Sequence, residues 1–285
     1  MEAFKETWYY IVFKRLIKGK LALLGLIIFL AVIVVSLLAP WISPYDPNAT
    51  NTSELIKPPS AAHWMGTDEL GRDVLSRIIS GTRISLVVGV IAVLIALASG
   101  SLLGLIAGYW RGYIDNVIMS VMDAIWAFPT LILALAITAA LGPSLTNVTI
   151  AIGLVFTPGF ARLVRGMVLT VREREYIQSA RSIGLNDREI ITRYIWPNIT
   201  PTIIVQASLN AAQAIIAEAS LSFLGLGIQP PAASWGSMLK AGYPYLEMAS
   251  WLSIFPGLAI LITVLGLNFL GDGLRDAMDI KIRFD

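Results

Sequence analysis

From Leu21 to Ala39 the chain runs nineteen residues without a charge, and from Ile84 to Trp110 it does so again for twenty-seven. Crossing the hydrocarbon core of a bilayer takes about 20 apolar residues of helix, so each run is long enough to span. Asn116 to Phe160 carries one charge, Asp123, and is too long for a single crossing. The stretch LGPSLTN, Leu141 to Asn147, divides it with turn-forming residues. Ile199 to Gly227 holds only Glu218, and Trp251 to Leu270 holds no charge. Six spans are predicted. Backbone amides in lipid must be satisfied within the segment, and none of these runs alternates as a membrane β-strand does. The expected fold class is therefore all-α and polytopic. The 14% of charged residues fits that class better than a soluble domain, which carries about 25%.

The basic start at Lys14, Arg15, Lys18 and Lys20 resembles a signal peptide, but the apolar run is too long and Ala39 leads into Pro40. An uncleaved anchor is predicted. The chain has no cysteine, which excludes disulfides, and its single histidine, His63, cannot build a metal cluster by itself. Six spans place both termini on one side. Sixteen Lys and Arg residues fall on that side, including Arg111 and those from Arg162 to Arg193, against five on the other (Lys57, Arg72, Arg77, Arg83 and Lys240). The positive-inside rule predicts cytoplasmic termini in a multi-pass cell-membrane protein. Gly100, Gly104 and Gly108 share one helix face and predict close packing, with a gate or dimer contact as the alternative.

Between the apolar runs stands EREYIQSARSIGLNDREIITRYIWPN, Glu173 to Asn198, with eight of the chain's forty charges. Glu173 to Ile183 contains strong helix formers, and Gly184 suits a left-handed cap. Asn186 with Glu189 has the spacing of a capping box. A second helix is expected to run to about Ile195 and to be closed by Trp196-Pro197-Asn198. A compact helical knob at the membrane surface results. Taken alone, it reads as a solvated connector as readily as a docking element.

The knob resembles the cytoplasmic coupling loop of ABC-importer permeases, which reads Glu-Ala-Ala, three residues, Gly, nine residues, then Ile-x-Leu-Pro. The matching positions are Gln178-Ser179-Ala180, Gly184 and Tyr194-Ile195-Trp196-Pro197, with correct spacing. Ala180, Gly184 and Pro197 agree with the pattern, whereas Gln178, Ser179, Tyr194 and Trp196 depart from it. HWMGTDELGRDVLSRIISGTRISL, His63 to Leu86, is similar to the segment before the second span in dipeptide and oligopeptide importers, most closely in the C-type subunit. Ala39 to Pro47, Ala219 to Leu239 and Leu270 to Asp279 resemble the same subunit.

The resemblance implies a type I importer permease: residues 1–84 as tail, first span and outer segment, and residues 85–285 as a five-helix core with a coupling loop at 172–198. It implies half of a pathway for di- or oligopeptides, with nickel, glutathione or oligosaccharides as alternative solutes. The partners implied are a second related permease, two cytoplasmic ATPases and an external solute-binding protein, with no nucleic acid. The chain has no phosphate loop, since Gly19-Lys20 continues to leucine. ATP and magnesium are expected on the partner subunits, no cofactor on this chain, and no catalytic activity of its own. The coupling residues implied are Glu175, Tyr176, Gln178, Ser179, Ala180, Gly184 and Pro197.

Intramembrane charges are costly and usually face a cavity or a partner. Glu218 reads as a pathway group, with Ser222 beside it, or equally as an interhelical hydrogen-bond acceptor. Asp123 is expected to be structural first and pathway-lining second, and nearby Trp126, Phe128 and Pro129 to kink and pack their helix. A proton relay through Asp123 and Glu218 would instead mark a self-sufficient secondary transporter. The long outer segments, Tyr45 to Arg83 and Gln229 to Ser250, read as a lid; the resemblance makes them a docking surface for the binding protein.

Overall fold

The computed structural model describes residue 10 and residues 12–278, which are almost wholly helical. Five helices are long and apolar enough to cross a membrane: Lys20–Ile42, Val74–Trp110, Leu145–Arg172, Asp187–Phe223 and Trp251–Met278. A sixth crossing is available only if Gly112–Trp126 and Thr130–Leu141, bent by 90° against each other, count as one span. In chain order the elements are α1 (Lys20–Ile42), α2 (Val74–Trp110), α3 (Gly112–Trp126), α4 (Thr130–Leu141), α5 (Leu145–Arg172), α6 (Glu175–Ser182), α7 (Asp187–Ile190), α8 (Trp196–Phe223), α9 (Trp235–Gly242) and α10 (Trp251–Met278).

Four boundaries differ from the sequence expectation, each for a local reason. The second span starts at Val74 rather than Ile84, because Asp73 caps the helix by accepting from the Ser76 amide at 2.8 Å. The third span is broken rather than continuous. The helix before Ala127-Phe128-Pro129 must stop, since the residue ahead of a proline is driven out of the helical region, and Pro129 is itself extended at ψ 126°. The fourth span does not end near Phe160; it continues through Arg162 and Arg165 to Arg172. Nor is the second helix of the knob closed at Trp196-Pro197-Asn198. A five-residue π-helical turn, Ile191–Ile195, joins α7 to α8, with the Trp196 amide reaching back to the Ile191 carbonyl. A proline clashes with the carbonyl four residues before it, and widening the turn ahead of Pro197 accommodates the ring within a continuing helix.

Helix α2 forms the spine. At Gly100 an added Cβ would lie 2.6 Å from the Phe160 Cβ, and at Gly104 it would overlap the Ala161 carbonyl of α5. At Gly108 it would lie 2.9 Å from the Arg165 carbonyl oxygen. The glycine stripe is thus an intrachain seam that seats α2 against α5. Helix α1 packs on α10, where a Cβ on Gly25 would stand 2.6 Å from the Gly266 carbonyl oxygen. Most of its length is exposed, which leaves it peripheral.

Two buried clusters lie along the spine. One gathers Val88, Phe160, Val164 and Val168 with Ile177, Ile190 and Ile195 from the knob. The other joins Val74, Ile78, Ile215, Trp235 and Leu252 at the opposite end.

Candidate functional site

The corner of the knob, from Glu175 to Glu189, is built as its sequence predicts. Helix α6 ends in a Schellman closure, with the Gly184 amide donating to Arg181 at 3.0 Å and the Leu185 amide to Ala180 at 3.2 Å. That closure needs a left-handed residue, and Gly184 has φ +84°. The Asn186 side chain then accepts from the Glu189 amide at 2.9 Å, and the Glu189 carboxylate accepts from the Asn186 amide at 3.4 Å.

Of the seven coupling candidates, Glu175, Tyr176, Gln178, Ser179, Gly184 and Pro197 are exposed, whereas Ala180 is buried. Ala180 belongs with Ile177 to the face of α6 turned towards the bundle. Ile183, at the tip, is 78% exposed. The knob therefore has a dry side seated on the bundle and an outer side open to a partner.

Tyr109 ties the knob to the spine. It is buried, its hydroxyl donates to Asp187, and its carbonyl accepts from the Arg172 guanidinium. The Arg181 guanidinium lies 5.6 Å from its ring centroid. Beside it, Arg111 pairs with Glu173 across the two helix ends.

A cleft of about 360 Å³ opens between α4, α5 and α8, with Thr130, Phe156, Asn210, Gln213 and Ser220 among its walls. Gln206 continues the line and donates to the Asn210 side chain at 3.2 Å. Gln206, Asn210, Gln213 and Ser220 stand four, three and seven residues apart, so they form one polar stripe along a helix. That spacing of amides within an apolar run is legible in the sequence.

Those carboxylates lie elsewhere. Glu218 is fully buried on the other face of α8, accepting from the Ser222 hydroxyl at 2.7 Å and the Ser85 hydroxyl at 3.1 Å. The Ser85 oxygen in turn accepts from the Trp235 amide at 3.4 Å. Glu218 and the buried Ser222 thus bind α2, α8 and the start of α9 together. Asp123 is exposed near the end of α3 and pairs with Arg162, whose guanidinium stacks 3.7 Å from the Trp126 ring centroid.

At the far end of α2 the segment 43–73 folds into a cap. Arg72 bridges Asp68 at 2.6 Å and Glu69 at 2.9 Å, and Arg77 donates to the Pro47 carbonyl at 2.9 Å. Trp251 of α10 donates to the Thr67 carbonyl at 3.4 Å. His63 is buried, with Nδ1 2.9 Å from Asp73 and Nε2 3.1 Å from Glu54. Both ring nitrogens face carboxylates, which suits an imidazolium donating from each. The Asp73 bond, with help from Glu54, holds the His63 pKa above its ordinary value against the opposing effect of desolvation.

Among known proteins, residues 100–284 match the model of the binding-protein-dependent transport system inner membrane component. Residues 7–59 match that of the N-terminal TM domain of oligopeptide transport permease C. The chain is 47% identical to a dipeptide transport system permease protein of Alkalihalophilus pseudofirmus, over 95% of this chain and 89% of the relative. It is 44% identical to a glutathione transport system permease protein of Pectobacterium atrosepticum, over 98% and 91%. A di/tripeptide transport system permease protein of Pseudomonas aeruginosa is also 44% identical, over 98% and 92%. A solved inward-facing MetNI methionine ABC transporter shares the fold at TM-score 0.59 and 16% identity, covering 71% of this chain and 97% of that one.

Proposed function

The chain belongs to the inner-membrane permease components of binding-protein-dependent ABC transporters, and from that premise we propose that it is one half of an ATP-driven importer of short peptides. Its stripe of Gln206, Asn210, Gln213 and Ser220, with the cleft beside it, forms one wall of the pathway. Uncharged amides and hydroxyls suit a peptide backbone, because they can donate and accept without holding the solute tightly. Glutathione, a peptide itself, fits the same wall. In this reading Glu218 and Ser222 brace the wall from behind.

The observation that carries the proposal is the double character of the knob. Its outer side offers Glu175, Tyr176, Gln178 and Ser179 to a partner, while Ile177, Ile190 and Ile195 are shared with the core around Phe160, Val164 and Val168. A cytoplasmic ATPase that grips the outer side therefore moves α5 and α8, the helices that wall the cleft. The termini and the knob lie on the cytoplasmic face, and the cap of residues 43–73 with α9 meets the binding protein outside.

The test is reconstitution in vesicles with the second permease, two ATPases and the binding protein. Uptake of labelled peptide should require all of them. The native chain lacks cysteine, so a thiol placed at Gln178 should cross-link to an ATPase subunit and one at Ser144 should not. Uptake by this polypeptide alone, or indifference of the Gln178 thiol to the ATPase, refutes the reading.

A further inference from the structure

Two Arg–Asp pairs join α3 to α5, and they differ in kind. Arg165 grips Asp115 with two donors, at 2.5 and 2.6 Å, and the Asp115 side chain is only 9% exposed. Arg162 reaches Asp123 with Nη2 alone, and the two side chains are 42% and 60% exposed. The first is a closed clamp between helices; the second leaves donors on Arg162 and an oxygen on Asp123 available.

Position decides what the open pair faces. Asp123 lies eleven residues beyond Gly112, the start of α3, which is about 16 Å along a helix. Arg162 stands ten residues before the end of α5 at Arg172, about 15 Å. Both therefore stand about 15 Å from the knob end of their helices, a depth at which a charge pair turned to lipid is costly. One heptad before Arg162 on α5 is Val155, which lines the cleft. On that same face Gly159 has open space where a side chain would stand. Along α5 Arg162 thus lies beyond the residues that line the cleft, on the side of the knob, and the Trp126 ring covers one face of its guanidinium.

We propose that Asp123 and Arg162 form a station for a zwitterionic solute at the inner rim of the pathway: Asp123 receives the ammonium end of a short peptide and Arg162 its carboxylate, the resting ion pair opening into two. A pair that is already neutral overall can exchange partners without stranding a charge, and single-donor geometry makes the exchange reversible. This step rests on the peptide-permease reading. It adds a specificity-determining residue of each sign to a wall otherwise lined by neutral groups.

The experiment uses the complete reconstituted transporter and a labelled mixture of di- and tripeptides with free termini. D123N and R162Q should each lower uptake by about tenfold, the equivalent of one charge-assisted contact, while assembly and thermal midpoint stay near the native values. The exchanged pair D123R/R162D restores the ion pair and the fold, but meets the two termini in reverse, so uptake should stay low. Full recovery in the exchanged pair would show a structural bridge and overturn the station, as would near-native uptake by the neutral double variant D123N/R162Q. If the native transporter takes up none of these peptides, the peptide reading itself fails, and the station with it.

Discussion

Replacing Gly184 by valine tests whether the corner of the knob transmits force. The residue sits at φ +84°, and nothing stands within 4 Å of where a Cβ would go. The penalty is therefore conformational, with no steric collision. Holding a residue with a Cβ in the left-handed region costs about 1–2 kcal/mol, and a β-branched side chain lies at the upper end. Relief is local. Turning Gly184 out of that region breaks the bonds from the Gly184 and Leu185 amides and lets α6 pivot against α7. A bias of that size shifts the corner roughly 5–30-fold towards broken geometries. The bundle itself is held by a core that Gly184 does not enter. In vesicles with the full set of partners, ATP-driven uptake should fall by about the same factor, while the thermal midpoint stays close to native. Gly184→Ala should give a milder loss. Native uptake in Gly184→Val, or a loss of uptake accompanied by unfolding, would refute the idea that the corner is a transmitting joint.

Other outcomes follow from the same geometry. Gly104→Val forces atoms into the Ala161 carbonyl and the Val164 side chain, overpacking that costs about 1–3 kcal/mol, and should lower the melting temperature measured in detergent. Glu218→Leu leaves the Ser85 and Ser222 hydroxyls without their buried acceptor, at about 1–3 kcal/mol for each group stranded, whereas Glu218→Gln should be much milder; proteolysis rates will separate the two. Because its folded pKa is raised, His63 contributes stability that is fully present below its unfolded pKa of about 6.5 and fades as pH climbs through the higher folded value. Melting curves from acid to mildly alkaline pH should show that decline in the native protein, and a flatter profile in His63→Gln.

Much of the fold was legible because lipid leaves the backbone so few choices. Apolar runs with at most one charge located the spans, the glycines at 100, 104 and 108 foretold a close approach, and Gly184 and Asn186 marked both sides of the corner. Helix ends were harder, since a membrane helix stops where its caps and packing stop it, and Asp73 and Arg172 lie well beyond the uncharged windows. The break at Ala127 to Pro129 was foreseen as a kink, but its 90° angle depends on how α4 seats against α5. The functional positions divided in the same way. The knob carries its own punctuation and could be read locally, while the partners of Glu218 and Asp123 lie on other helices, so sequence left each with several roles.

Helix α2 reaches from one end of the molecule to the other. One end is pinned under the cap by Asp73 and Arg77, the other touches the knob through Tyr109, and the seam at Gly100 to Gly108 locks its inner third to α5. At 37 residues it is a strut about 55 Å long. A ligand seated on the cap and a nucleotide engine at the knob would thus work opposite ends of one member. Thermodynamic reciprocity then requires that whatever the first does to the affinity of the second, the second returns in equal measure.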